Sequence, residues 1–385
     1  MTECDHGNPR LRVLFIGLHF SEESWNLVKA LAERTEVCAI LNRDNFAAEM
    51  GFVPSSSPHE HLKLIFLPHR PNPLVFLQNA AKLVSTCARF RPDIIHCHEN
   101  GKDYLMIAMP WLLRYPFVLT VFDPKPHSGS DSKTRASRHG RYLAFMRRKC
   151  DAAIVHGEAI RSDLAEILGP SRPIFSVMLG PLGIDEPVAA REIRVPFVPE
   201  LLFFGRIEAY KGLGIFIEAV RLPARSGLRV RGVVAGRGRD LENHRQSIAN
   251  DPHFLLCEEF IPRHKTIELF DRASVVVVPY LDGTQSGVAA LAMGRHRAVV
   301  ASNVGSIRDL VLEGRSGLLV PPGDAVALAE ALQTILESAS LQANLEAGAQ
   351  ALAEGELSWR NLACQTTDVY LDVLERDVRK QKKKK

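Results

Sequence analysis

Short runs rich in Val, Ile and Leu recur along this chain at 12–17, 36–41, 62–67, 93–98, 117–122, 152–157 and 174–179, and again at 201–205, 228–236, 254–258, 274–280, 297–302 and 316–320. Several are separated by stretches of helical period, such as 22–34, 73–89, 134–150 and 158–168. A run that is apolar at every position has no solvated face, so it belongs in a parallel sheet covered by helices on both sides. The length of 385 residues, 46% hydrophobic and 24% charged, suits two such domains of about 190 residues each. The expected fold is therefore α/β, with two Rossmann-like domains. The boundary is expected near Arg194–Pro199, where two prolines interrupt the pattern.

Ligands of open parallel sheets sit beyond the carboxyl ends of the strands. Two segments there carry anion-binding chemistry: FFGRIEAYKG at 203–212 and VVPYLDGTQSGVAALAMGRHRAVVASNVGSIRDL at 277–310. Each reads as a buried strand, a loop that bares glycine and backbone N–H groups, and a helix start, which together form an anion cradle. The first turn adds two cations, Arg206 and Lys211, a combination suited to a diphosphate. Taken singly, the same residues read as solvated charges, and Gly283, Gly287 and Gly294 as turn or packing glycines.

Taken together and in this order, residues 200–325 resemble the donor domain of family-four retaining glycosyltransferases of the GT-B fold. The resemblance implies an acceptor-side domain over 1–195, a donor domain over 196–355 and a last segment, 356–385, whose helix runs back to the first domain. Trp359 resembles the tryptophan found on that helix; as a plain core aromatic it reads equally well. Arg206 and Lys211 are implied to stabilise the charge that grows on the leaving phosphate. Gly205 opens the same turn. The string Thr284-Gln285-Ser286-Gly287-Val288 resembles a variant branch in which amides and a hydroxyl at the helix start face the diphosphate. Asp282 precedes it, as a substitute carboxylate or a plain turn residue. No Asp-x-Asp occurs in the chain, so metal-independent transfer is expected, with no cofactor beyond the nucleotide sugar.

The sequence departs from the family at several positions. The Glu-x7-Glu pair of relatives falls on Gly283 and Leu291. The Thr-x-His-Asp turn, whose histidine contacts the sugar, resembles Thr120-Val121-Phe122-Asp123, with Phe122 in the histidine's place. His127 is a candidate replacement or an idle loop histidine. A second family histidine is replaced by Leu179, and of a glycine-rich loop after the first strand only Gly17 is left. Two functional classes stay open: a transferase acting on a glycan or lipid-linked acceptor, and a degenerate homologue that binds a nucleotide or a partner. A third class, an oxidoreductase read from 235–240, has only a weak signal, because Asp240 and Leu241 stand where the last glycine of G-x-G-x-x-G would fall. His96 and His98 invite a metal, but no third ligand is evident. Glu258 and Glu259 read as a solvated pair.

Seven scattered cysteines without C-x-x-C spacing argue against a disulfide framework or a zinc site, and the first residues lack the apolar run of a signal peptide. A cytoplasmic location is expected. The apolar stretch 104–122 contains Pro110, Arg114 and Pro116 and splits into a helix and a strand. Basic residues cluster at 135–149 and in the tail 376–385. Both suit an anionic membrane surface or plain solvation. Nucleic-acid binding is not expected, because no binding module accompanies the charge.

Overall fold

The computed structural model describes residues 10–68, 72–125, 138–170, 172–186, 198–225 and 227–382. In the first domain β1 (Arg12–Gly17), α1 (Ser21–Ala32), β2 (Glu36–Asn42), α2 (Arg43–Met50), β3 (Leu62–Leu67), α3 (Pro73–Phe90) and β4 (Ile94–His98) lead into α4 (Asp103–Leu112) and β5 (Phe117–Thr120). After these come α5 (Arg138–Lys149), β6 (Ala152–Val155), α6 (Glu158–Leu168) and β7 (Ile174–Ser176). All strands pair in parallel, in the order β3-β2-β1-β4-β5-β6-β7. The stretch 104–122 is thus a helix and a buried strand, and no helix among the described residues is long and apolar enough to cross a membrane.

The second domain repeats the plan. It runs through β8 (Glu200–Phe204), a 3-10 turn (Ala209–Lys211), α7 (Leu213–Arg225), β9 (Arg231–Ala235), α8 (Leu241–Ala249), β10 (Phe254–Cys257), α9 (Arg263–Arg272) and β11 (Val275–Val278). It closes with α10 (Gly287–Gly294), β12 (Val299–Ser302), α11 (Ile307–Leu310), β13 (Gly317–Val320), α12 (Ala325–Glu337) and α13 (Ala339–Glu354). The strand order is β10-β9-β8-β11-β12-β13, again parallel throughout.

Alternation explains why the strands read as unbroken apolar runs. Val13 and Phe15 of β1 enter the core on one face of the first sheet, and Leu14 and Ile16 enter the core on the other. Val276 and Val278 of β11 divide from Val275 and Val277 in the same way. The last helix, α14 (Trp359–Lys382), leaves the second domain and packs on the first. Its Leu362, Ala363, Tyr370 and Val373 join the core that holds Phe15. Trp359 donates from Nε1 to the Pro181 carbonyl at 2.8 Å.

His96 is spent on that contact. Its Nδ1 meets the Tyr370 hydroxyl at 2.6 Å and its Nε2 meets Thr120 Oγ1 at 2.7 Å. Burial pushes its pKa down to about 3, so the ring stays neutral. No set of three metal-ligating side chains occurs among the described residues. The carboxylates of Glu258 and Glu259 pair with Arg245 and Lys265 on the surface.

The segment after β7 ties the domains together. Asp185 receives Trp25 Nε1 at 3.0 Å and Lys29 Nζ at 2.5 Å, both from α1. From the second domain, the fully buried Arg295 grips Asp271 with two bonds of 2.7 Å and donates to the carbonyls of Gly183 and Glu186 at 2.8 and 2.7 Å. The expected domain boundary falls partly outside the described residues.

Candidate functional site

The turns after β8, β9 and β11 converge because glycines let their backbones touch. A Cβ on Gly236, at φ +136°, would lie 1.9 Å from the Gly205 carbonyl, and one on Gly212 would lie 2.1 Å from that of Pro279. The turn Gly236-Arg237-Gly238 is therefore a clasp on the β8 turn. Gly205 itself has φ +108°, and a Cβ there would come 3.4 Å from Lys211 Nζ and 3.7 Å from Val288. Bare backbone thus separates the lysine from the start of α10.

Lys211 is buried and donates to the Tyr280 hydroxyl at 2.9 Å, with Nζ also 4.9 Å from the centre of that ring. Burial opposes its charge, but the Tyr280 and Tyr210 phenol oxygens outweigh it, and its pKa lies above the ordinary lysine value despite Arg206 nearby. Arg206 is exposed at the strand end. The two cations are therefore unequal: one is desolvated and fixed, the other faces water.

At the start of α10, the Ser286 hydroxyl expected to face a ligand also serves the helix itself. It caps the helix by accepting from the Ala289 amide at 3.2 Å and lies 3.4 Å from the Tyr280 hydroxyl. Gln285 and Gly287 line a cavity of about 240 Å³ between the domains, and Gln285 Oε1 has no partner there. Asp282 is an exposed turn residue. Gly283 accepts the close approach of Gly305, whose Cβ would lie 1.9 Å from its carbonyl. Leu291, at the position of the second family glutamate, lines the cavity with Leu182 and Ile267.

From the first domain, Asp123 reaches across to accept the Thr284 hydroxyl, joining the two loops that the sequence singled out. The Asp123 turn is held from behind by Arg147. This residue of α5 makes bonds of 2.8 and 2.9 Å to Glu99 and donates to the carbonyls of Asp123 and Pro124 at 2.9 Å each. Burial outweighs Arg147 and leaves the Glu99 carboxyl above its ordinary range. Arg147 is therefore not one of the surface cations expected of the 135–149 cluster. Exchange for Met is expected to lower stability by about 3 kcal/mol or more, because Glu99 would stay buried without its partner; a denaturant titration checks this. Gly17 packs against α1, where a Cβ would lie 2.4 Å from Ser24 Oγ. His127 lies outside the described residues.

The first turn of α1, which carries no motif in the sequence, is delivered to the same cavity by the end of β1. Glu22 and Glu23 line it, together with Glu49 of α2. Glu49 Oε2 accepts from the Ser21 amide at 2.6 Å and approaches that of Glu22 at 3.4 Å. Arg263 of α9 clamps Glu22 with two bonds of 2.8 Å and Glu186 with bonds of 2.5 and 2.9 Å. Acidic residues in a first helical turn are usually helix-dipole partners, which hides their place in a cleft. The signal available was topological, since a helix start after the central strand faces the crevice.

Residues 24–178 match the family described as Glycosyltransferase Family 4, and residues 198–338 match the one described as Glycosyl transferases group 1. Glycogen synthase of Mycobacterium tuberculosis is 27% identical over 299 residues, 75% of this chain and 71% of that protein. D-inositol 3-phosphate glycosyltransferase of Xylanimonas cellulosilytica is 32% identical over 184 residues, 46% of this chain and 43% of that protein. Among solved structures, sucrose-phosphate synthase of Thermosynechococcus elongatus superposes with a TM-score of 0.69 at 19% identity, over 95% of this chain and 100% of that one. HepE of Anabaena, solved with UDP-glucose, gives 0.68 at 18% identity, over 94% and 100%.

Proposed function

The chain is a glycosyltransferase of the family-four, GT-B type, and from that premise we propose that it moves a sugar from a nucleoside diphosphate sugar to a hydroxyl of a glycan or lipid-linked acceptor, with retention and without a metal. The observation that carries this reading is the convergence of Lys211 and Gly205 on the first turn of α10, whose start, at Gln285 and Gly287, lines the interdomain cavity. A desolvated ammonium beside bare backbone amides stabilises the charge left on a departing phosphate more strongly than the same groups would in water. Arg206 adds a second cation. Retention by front-face attack requires no protein nucleophile, which accords with Gly283 and Leu291 standing where the family has glutamates.

A second reading, a homologue that binds a nucleotide or a partner without turnover, is favoured by the apolar residues Phe122 and Leu179 at positions where relatives carry histidines. Both line the cavity. A thermal-shift screen against UDP, GDP, ADP, dTDP and NAD, followed by a transfer assay with the matching sugar nucleotide, separates the two. One nucleoside diphosphate at one hundred times its dissociation constant is expected to stabilise the protein by about 2.7 kcal/mol, and the shift is expected to shrink in Arg206→Ala. Stabilisation by NAD alone would sink the donor-site reading. Binding without transfer would favour the inactive homologue. Activity is expected to be unchanged by a metal chelator, and loss of turnover in EDTA that magnesium restores would overturn the metal-independent mechanism.

For acceptors in a lipid phase, the exposed Arg141, Arg148 and Lys149 of α5 remain as cations for an anionic surface. Leu74, Leu77, Ile107 and Trp111 of α3 and α4 are exposed apolar side chains on the same domain.

A further inference from the structure

The interdomain cavity is walled by rings and aliphatic side chains, among them Phe20, Phe122, Leu179 and Leu291. Against these walls two polar side chains stand out, each with an oxygen that has no hydrogen-bond partner among the described residues: Oε2 of Glu23 from the first domain and Oε1 of Gln285 from the second. Glu23 is 4% exposed, a nearly buried carboxyl in the wall of the cavity. A buried acceptor left unpaired is a standing cost that a ligand hydroxyl removes.

The neighbours of Glu23 are already engaged. His98 Nδ1 comes to 3.3 Å from Oε2, yet its hydrogen bond is to Ser24 Oγ, also at 3.3 Å. His156 donates from Nδ1 to the Val177 carbonyl at 2.8 Å, because a carbonyl can only accept. Its Nε2, 3.6 Å from Glu23 Oε1, is therefore a bare lone pair in the neutral ring. Burial holds both rings neutral, His98 well below its ordinary value and His156 down to about 4. Among the described residues no Lys or Arg pairs with Glu23, and burial, with the charge of Glu49 added, raises its carboxyl well above the usual range. Burial thus disfavours the charged form of Glu23, which suits it to gripping a hydroxyl rather than to nucleophilic attack.

Phe20 frames the same place. It holds a left-handed backbone, φ 50°, which is strained for a side chain of its size, and its ring lies 4.2 Å from that of Phe122. A pocket with apolar faces and polar contacts from opposite sides fits a hexose ring, which has C–H faces and hydroxyl edges. We propose that Glu23 and Gln285 grip hydroxyl groups of the transferred sugar from opposite domains, with Glu23 as the specificity-determining group. The proposal rests on the donor-site reading above and assigns the sugar contact to a residue outside the family motifs.

The test is titration calorimetry on the full chain with UDP and UDP-glucose, GDP and GDP-mannose, and ADP and ADP-glucose. For the pair that binds the wild type, Glu23→Leu is expected to weaken the sugar nucleotide about ten- to hundredfold and to leave the free nucleoside diphosphate unchanged. Glu23→Gln keeps a donor and an acceptor at the same place and is expected to stay within about threefold for both ligands. Both variants are expected to melt no lower than wild type, since neither leaves a buried acid unpaired. Unchanged sugar-nucleotide affinity in Glu23→Leu overturns the proposal, as does an equal loss for both ligands, which would mark a structural role. If the wild type binds none of the six, the donor-site reading falls and this inference with it; binding that is indifferent to Glu23 removes this inference alone.

Discussion

Transfer is expected to fall at least about a thousandfold when Arg206 and Lys211 are both replaced by alanine, with the fold retained. Removing one preorganised donor to a developing oxyanion costs about 100- to 1000-fold in kcat, and here two cations go. Their shares should differ. Lys211 is buried against Tyr280 while Arg206 faces solvent, so the lysine acts through a lower effective dielectric and should account for the larger part. Lys211→Met, which keeps most of the side-chain volume under Gly205, should be nearly as inactive as Lys211→Ala. Single-turnover rates and thermal midpoints of the three variants check this. An active double variant would remove these residues from the chemistry. If Arg206→Ala proved the more damaging, the ranking by desolvation would be wrong.

Replacing Arg295 by alanine is expected to be the most destabilising single change in the molecule, by about 3–5 kcal/mol, a large fraction of the roughly 5–15 kcal/mol that holds a domain folded. The side chain is 0% exposed, and it satisfies the Asp271 carboxylate and two carbonyls of the segment between the domains. Its loss strands all three. Lysine cannot restore the set, because one ammonium does not reproduce a planar fork that serves a carboxylate and two carbonyls together. Arg295→Lys should therefore recover less than half of the loss in a denaturant titration. A variant as stable as wild type would show that water replaces the guanidinium.

Every β-strand of both sheets was legible in the sequence, because parallel strands buried on two faces leave unbroken Val, Ile and Leu runs such as 275–278. The helix α2 was not. Only Phe46 and Met50 of its eight residues are buried, which gives no apolar stripe to detect. In the site, Arg206, Lys211, Gln285 and Gly287 were readable because each sits in a local string of strand, glycine and helix start. Arg147 misled, because a basic residue in a polar stretch reads as solvated while its partner Glu99 lies 48 positions away; Arg295 carried no signal, its partner Asp271 lying 24 positions away. Ser286 resembled a ligand-facing hydroxyl, although the same residue type at the same place is also what caps a helix. Glu23 lacked any signal of its own, since the groups around it, His98, His156 and Glu49, come from distant parts of the chain.

The path of α14 bears on how such proteins exchange parts. Because Trp359, Leu362 and Tyr370 complete the core around Phe15 and His96, the first domain is made from segments on both sides of the second, and the second domain is an insertion within it. A chimera that trades everything after β7 would hand the first domain a foreign closing helix and expose the face that Tyr370 seals. Trading 198–355 alone would keep that face covered. Recombination between relatives should accordingly tolerate two crossover points far better than one.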